Sequence, residues 1–464
     1  MNDSSRHIFL LAVLSLGLLL LLSLVPWGSL TGNTFKDFNL FEDLMPREQN
    51  VVETPVETLP EEDFAAEEPA AEPASATADV PVAESEAAAP VVVHEEAPVG
   101  DGIVLIENYT GSSVPFEHLR AALSEASERT VRIAMLGDSY IEGDIFSQNL
   151  RDLLQQRYGG CGVGFMAMHS DFPGFRRSVR QSDSGWTMRD IRNFGRSDTL
   201  RTLANCYAKA SENATAVFEG TKIFEGTKSW ERSRFMFIAP DSGTVCMTLA
   251  DGAEQSFRIA PSPDVQTLEV SGATTKFSIK SDVHGIVALG AWLDSPRGVQ
   301  VDCMSVRGNS GMGLSGLNRT LSTQMSAQVS YDMIILEFGM NAISAEQTEY
   351  NGYAAAMEKS VATIRACYPD ADILILGVGD RGTKKGASVE SLPAVAAMTQ
   401  AQRKLAAKTG CLFWDICAAM GGNGAIAEWR ERKLVNADYI HLNYEGGAEL
   451  AALLDKAIQK SLNE

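Results

Sequence analysis

An apolar run in this chain ends on Gly137-Asp138-Ser139, inside AMLGDSYIEGD (residues 134–144), and a segment with helix-like character follows. Gly, Asp and Ser are all turn formers, so a simple turn accounts for the three residues taken alone. The same turn would also hold a serine hydroxyl at the C-terminal end of a strand, where open α/β sheets place their sites. Serine acts as a nucleophile at neutral pH when a base takes its proton, usually a histidine oriented by a carboxylate. The chain has six histidines. His7 and His94 lie near the N-terminus, His118 falls in a predicted amphipathic helix, His284 sits among short alternating runs, and His169 follows GFMAM with no evident role. His441 lies in NADYIHLNYEGG, with Asp438 three residues before it and the last predicted helix just after. A D-x-x-H turn can bring both side chains to one side of a loop, Asp438 holding the imidazole while His441 faces a serine. Alone, that spacing also describes a surface loop before a helix. Ser139, Asp438 and His441, at the two ends of one α/β pattern, form the candidate catalytic set.

The elements around these residues alternate between strand and helix. Arg132 to Leu136 reads as a short strand, and 147–158 (SQNLRDLLQQRY) as a helix, with Leu150, Leu153 and Leu154 on one face. Ser139, between the two, lies where N–H groups and a helix dipole favour negative charge. Further strand runs are YDMIILEFG (331–339), ADILILGVG (371–379) and CLFWDI (411–416), separated by helical stretches ending at Pro369 and Gly410. The final helix is YEGGAELAALLDKAIQKSL. This order predicts a parallel sheet flanked by helices on both faces.

Residues 166–302 read differently. Short alternating runs such as SRFMFIAP, GTVCMTLAD and TKFSIKS are separated by turn residues at intervals of about ten, the pattern of an all-β sandwich. The expected organisation is an α/β domain in two parts, 102–165 and 303–464, with a β domain inserted at 166–302. Trp186, in the polar stretch SDSGWTMRD near the start of the insert, is a candidate for stacking on a ligand ring or for the insert's core.

The first 30 residues contain an uncharged apolar run from Ile8 to Trp27, long enough to cross a bilayer core as a helix. Arg6 on its N-terminal side favours a cytoplasmic N-terminus. The alternative, a cleaved signal peptide, is opposed by the length of the run and the lack of an A-x-A-like site. Residues 31–101 are rich in Ala, Glu, Pro and Val. Of the net charge of −21, most lies between Phe41 and Asp101, where Arg47 is the lone basic residue. Such a segment is expected to act as an extended, disordered tether. No basic stripe for nucleic acid is visible in the remainder. The seven cysteines include no C-x-x-C pair, which argues against a zinc ribbon or a thioredoxin-like site, and no metal or cofactor is expected.

Four short blocks now fall into a recognisable order, and the chain resembles the SGNH (GDSL) hydrolase superfamily. LGDSYIEGD looks like the first block, with Ser139 as nucleophile. VRGNSGMG (306–313) is similar to the second, whose glycine gives a backbone N–H to an oxyanion; Gly311 fits that position best and Gly308 comes next. EFGMNAI (337–343) resembles the third, in which Asn341 would donate its side-chain amide, although Ala342 stands where an acid is common. DYIH (438–441) resembles the last. The resemblance implies an oxyanion hole of Ser139 N–H, Gly311 N–H and the Asn341 amide. G-x-S-x-G is absent around any serine, so the α/β-hydrolase elbow is the poorer match.

A β domain between the first and second blocks is similar to the peptidoglycan O-acetylesterase branch, where it resembles a carbohydrate-binding module. The implied activity is removal of O-acetyl groups from a cell-wall glycan, most naturally peptidoglycan. The enzyme would be anchored in the inner membrane, with its catalytic part in the periplasm or otherwise outside the cytoplasmic membrane. Two alternatives stay open: an O-acetyltransferase supplied with acetyl by a membrane-embedded partner, and a non-catalytic glycan-binding protein. The insert could equally be a packing or dimerisation domain.

Overall fold

A computed structural model describes residues 97–463 apart from 196–197, 346 and 386–387. The expected anchor and nearly all of the tether lie outside the described residues. Within those described, no helix is long and apolar enough to cross a membrane. The last residues assigned to the tether are structured: Val99–Gly100 pairs antiparallel with Ile103–Val104.

The catalytic part is built on a six-stranded sheet of β1 (Glu107–Asn108), β2 (Thr130–Gly137), β3 (Gly298–Ser305), β4 (Met333–Glu337), β5 (Asp372–Leu376) and β6 (Leu412–Trp414), in the order β3-β2-β4-β5-β6-β1. All neighbours are parallel except β1, which runs antiparallel on β6. Strands β2, β4 and β5 are mostly apolar and buried almost throughout, with Arg132, Glu337 and Asp372 as buried charged exceptions, as in a parallel sheet covered on both faces. The covering helices include α1 (Glu117–Ser124), α2 (Ser147–Tyr158), α3 (Arg319–Ser326), α4 (Asn351–Cys367), α5 (Pro393–Thr409) and α6 (Tyr444–Asn463). Helix α6 buries Leu450, Ala451, Leu454, Ala457 and Ile458, the i, i+3, i+4 stripe of an amphipathic helix. Burial of each large side chain on that stripe is worth about 1.5–3 kcal/mol. Its first turn approaches the chain after Ser139 so closely that a Cβ on Gly447 would lie 2.1 Å from the Ile145 carbonyl oxygen. Glycine there lets the helix, and the His441 loop before it, reach the nucleophile segment.

The insert forms a nine-stranded sheet. The sequence pattern predicts a sandwich of two sheets; instead, hydrogen bonds join all nine strands into one antiparallel sheet. Register shifts in the pairings of Val179–Asp190, Ser262–Thr274 and Val287–Asp294 bend it, as bulges do. Strands Gly243–Leu249 and Ser262–Thr274 touch without pairing, and the inner face closes over Phe218, Trp230, Phe235, Phe237, Phe277 and their neighbours. Trp186 belongs to that core. It is 6% exposed and packs edge-on against Phe235, so it is not a free stacking surface.

The boundaries of the insert also differ from expectation. Gly164–Met166 pairs with Val287–Asp294 in the nine-stranded sheet, whereas β3, which starts at Gly298, is a strand of the parallel sheet. The two sheets are joined by buried charge. Arg132 on β2 meets Asp294 at 2.5 Å and Asp302 on β3 at 3.3 Å, Arg232 meets Asp294 at 2.8 Å, and Trp292 and Tyr331 donate to Asp302 at 3.0 and 2.9 Å. All seven cysteines are unpaired.

Candidate active site

Ser139 sits two residues past the end of β2, in a turn at the C-terminal edge of the parallel sheet. Helix α2 starts only at Ser147, with a short 3₁₀ turn at Glu142–Asp144 between them. The helix begins where the sequence pattern places it, so seven residues that include the 3₁₀ turn separate Ser139 from its first residue. The turn is held from below by Asp138. Its carboxylate accepts from Tyr140 N–H at 2.8 Å and from Asn341 Nδ2 at 2.6 Å. Burial pushes Asp138 up to about 7, against those hydrogen bonds and the nearby His441. Glu337, at the end of β4, is fully buried beside it, and burial together with the Asp138 charge drives its pKa well above the ordinary range.

The far end of the chain supplies the base. His441 Nε2 lies 3.0 Å from Ser139 Oγ, and His441 Nδ1 lies 2.8 Å from Asp438 Oδ2. The other Asp438 oxygen accepts from the backbone N–H groups of Ile440 and His441 at 3.0 and 3.1 Å, which fixes the D-x-x-H turn. The Asp438 hydrogen bond raises the His441 pKa above its ordinary 6.5, although burial opposes it. Burial would raise Asp438, but the hydrogen bonds from His441 and the two N–H groups outweigh it and hold the carboxyl below its ordinary value. Ser139, His441 and Asp438, spread over three hundred residues, thus stand in one hydrogen-bonded line, with the histidine between the hydroxyl and the carboxylate.

The donors assigned from the sequence divide. Asn341 lies beside the turn, and its Nδ2 also donates to Asn309 O at 3.3 Å. Gly311 does not present its N–H to the site: that group donates to Asn309 Oδ1 at 2.9 Å, inside its own loop. A Cβ on Gly311 would meet Phe338 at 2.7 Å and Met357 Sδ at 2.9 Å, so this glycine serves close packing. The second choice, Gly308, is exposed, has φ +75° with open space around a Cβ, and its N–H has no hydrogen-bond partner among the described residues. It follows β3 on the strand of loop that Val306 N–H pins to Gly137 O at 3.1 Å. Gly308, not Gly311, has the free N–H.

Sequence reading gave no role to three further groups. Arg381, partly buried, faces Asp438; burial pulls its pKa down while the Asp438 charge opposes. Asp144 is fully buried between Arg151 and Arg176. His169, which had no evident role, lies between Asp183 at 2.8 Å and Asp171 at 3.3 Å in the insert. Arg381 and His169 belong to no local motif, and Asp144, although it ends the first block, meets partners that are distant in sequence.

Comparison with known proteins gives the same frame. The model of the GDSL-like Lipase/Acylhydrolase family matches residues 263–448, a span that holds Gly308, Asn341, Asp438 and His441 but begins after Ser139. A solved structure described as "Peptidoglycan O-acetylesterase in action" is 21% identical with a TM-score of 0.65, over 77% of this chain and 99% of that one. At that identity the likeness is one of fold. A family two carbohydrate esterase from Cellvibrio japonicus aligns at 10% identity with a TM-score of 0.27, over 62% of this chain and 98% of that one. No curated protein sequence matches the chain.

Proposed function

We propose that the chain is an SGNH-type carboxylic ester hydrolase that removes O-acetyl groups from a cell-wall glycan, peptidoglycan being the favoured polymer; the GDSL-like match over residues 263–448 and the fold likeness to a peptidoglycan O-acetylesterase support this reading. The observation that carries the chemistry is the unbroken line from Ser139 Oγ through His441 to Asp438, at 3.0 and 2.8 Å. His441 Nε2 takes the hydroxyl proton as Oγ attacks the acetyl carbonyl, and Asp438 holds the resulting imidazolium. The carbonyl π electrons move to oxygen, giving a tetrahedral oxyanion. Its collapse expels the sugar oxygen, which takes the proton from His441. Water, activated by the same histidine, then releases acetate from Ser139.

The oxyanion is met by Ser139 N–H, Gly308 N–H and Asn341 Nδ2. The Asn341 hydrogen bond to Asn309 O, at 3.3 Å, is the longer of its two and is the one the oxyanion replaces; catalytic hydrogen bonds commonly tighten only as the transition state forms. The glycan assignment is supported by the fold likeness to a peptidoglycan O-acetylesterase and by the β insert beside the site. An uncharged run at residues 8–27 with Arg6 before it supports a membrane anchor that places the catalytic part outside the cytoplasmic membrane.

Acetate release by the full chain from 4-nitrophenyl acetate and from O-acetylated peptidoglycan tests the reading, with Ser139→Ala as control. Activity on both, lost in Ser139→Ala, is expected. Hydrolysis of the aryl ester with none on the acetylated polymer would remove the glycan assignment. Faster acetate transfer to an added sugar acceptor than to water would make the chain a transferase.

A further inference from the structure

The three segments that carry the chemistry all touch one loop of the insert. After Ser139, the turn at Gly143 comes so near that an added Cβ would lie 2.8 Å from the Cβ of Phe175. Before Gly308, Arg307 holds its guanidinium 4.0 Å from the Phe172 ring centre and 5.9 Å from that of Phe175. After His441, the Tyr444 hydroxyl donates to Phe175 O at 2.5 Å, and Arg177 lies over the Tyr444 ring at 4.5 Å. The loop at 172–177 is therefore seated on the rim of the site and does not hang from the insert.

What this loop shows to solvent is unusual. Among the described residues five large apolar side chains are exposed, and only Phe172 and Phe175 are aromatic and adjacent. They are 42% and 45% exposed, yet stacked, with ring centres 5.3 Å apart and planes 24° from parallel. Arg307 is fixed against Phe172 by two bonds to Glu142, at 3.0 and 2.5 Å. A cavity of about 160 Å³ opens beside the rings, and its wall carries Glu142, Asp171, Asp190, Arg192 and Arg307. A rigid aromatic face bordered by charged donors and acceptors suits a pyranose ring, which offers an apolar C–H face and a rim of hydroxyls. A lipid acyl chain would instead require a trough free of such charges.

We propose that Phe172 and Phe175 form a subsite that stacks on a sugar ring of the glycan next to the residue whose acetyl group is cleaved, with Arg307 and Glu142 positioned for that ring's hydroxyls. This rests on the O-acetylesterase reading above and adds to it the part of the insert that meets the polymer. Remote binding energy from the ledge helps only a substrate long enough to reach it while its acetyl group lies at Ser139.

The test compares the full chain with Phe172→Ala/Phe175→Ala, Phe172→Tyr/Phe175→Tyr and Phe172→Leu/Phe175→Leu, measuring kcat/KM on 4-nitrophenyl acetate, 4-nitrophenyl decanoate and O-acetylated chitopentaose, with unfolding midpoints. The Ala and Leu pairs should lose about tenfold or more on the glycan and less than about twofold on the acetate, while the Tyr pair retains glycan activity. The Leu pair keeps the apolar packing, so it answers the question if the Ala pair does not fold. Undiminished glycan activity in a folded Leu or Ala pair overturns the subsite alone. Equal loss on the glycan and on the acetate overturns it as well, because it puts the rings at the reacting centre. A loss confined to the decanoate makes the ledge an acyl-chain site. A wild-type chain inactive on the acetylated glycan would overturn the O-acetylesterase reading and the subsite with it.

Discussion

Asp144, five residues after the nucleophile, binds Arg176, the residue that follows the ledge loop's Phe175. Their side chains meet at 3.2 Å. The same buried carboxylate takes two bonds from Arg151 on α2, at 2.7 and 2.8 Å, and others from Ser147 and Ser178 at 2.5 and 2.9 Å. Arg176 in turn donates to the carbonyls of Phe165 and Val163 at 2.7 and 2.6 Å, inside the insert. One carboxylate thus ties the nucleophile segment, a helix of the parallel sheet and the first strand of the insert.

Asp144→Asn should leave Arg151 short of its countercharge in a fully buried site and cost about 3–5 kcal/mol, the range for removing one partner of a buried pair. Burial acts to raise the Asp144 pKa, but the two arginines outweigh it and hold the carboxyl well below its ordinary 3.8. A depressed folded pKa contributes stability above the unfolded value that is lost as pH falls below it. Urea unfolding at pH 7 and pH 3 should therefore show the variant's deficit shrinking in acid. A full deficit at pH 3 would mean that packing, not charge, makes the difference.

Asn341→Ala should lower kcat by about 10²–10³ and leave KM nearly unchanged, as loss of one oxyanion donor does. The same change removes a partner of the buried Asp138, so an unfolding curve must accompany the kinetics. A rise in KM with kcat intact would make Asn341 a substrate-binding group.

Gly311 and Gly308 should answer differently to the same substitution. Gly311→Ala drives a Cβ into Phe338 and Met357 in a left-handed backbone and should destabilise the fold strongly. Gly308→Ala meets nothing within 4 Å and keeps its N–H, so only the left-handed strain, about 1–2 kcal/mol, should appear, with most activity retained. Thermal unfolding of the two proteins would separate them. Equal destabilisation would contradict the packing role given to Gly311.

Much of this was legible in the sequence, for local reasons. Strands β2, β4 and β5 announce themselves as largely apolar runs, and G-D-S and D-x-x-H are short patterns that carry their own turn geometry. Strand β3 was hidden: in GVQVDCMS, Gln300 and Asp302 alternate with apolar residues, as in a half-exposed strand. Both are buried all the same, and Asp302 is occupied by Arg132, Trp292, Tyr331 and the N–H of Phe165. Trp186 was hidden by its polar neighbours, which obscure the bulge at Gly185 that shifts the register and turns the indole inward. Gly311 outranked Gly308 because spacing says nothing of where the Asn309 side chain turns. The ledge of Phe172 and Phe175 depends on contacts with residues 143, 307 and 444, which no local pattern relates.

The pH dependence of kcat/KM should read the charges around His441, and two substitutions should move it in opposite directions. The base must be neutral to accept the Ser139 proton, so activity rises with pH through the His441 pKa. Asp438 raises that pKa by its hydrogen bond and charge, so the acid limb of the wild-type protein should lie above 6.5. Asp438→Asn removes the negative partner, and the limb should move to lower pH, with kcat reduced because the imidazole loses its orientation. The positive charge of Arg381 acts the other way and lowers the His441 pKa. Arg381→Met should therefore shift the limb to higher pH while leaving the triad in place. Measuring kcat/KM on 4-nitrophenyl acetate from pH 5 to 9 for the three proteins gives the two displacements. If both variants shifted the limb in the same direction, the titrating group would not be a histidine placed between these two charges, and the assignment of His441 as the base would fail.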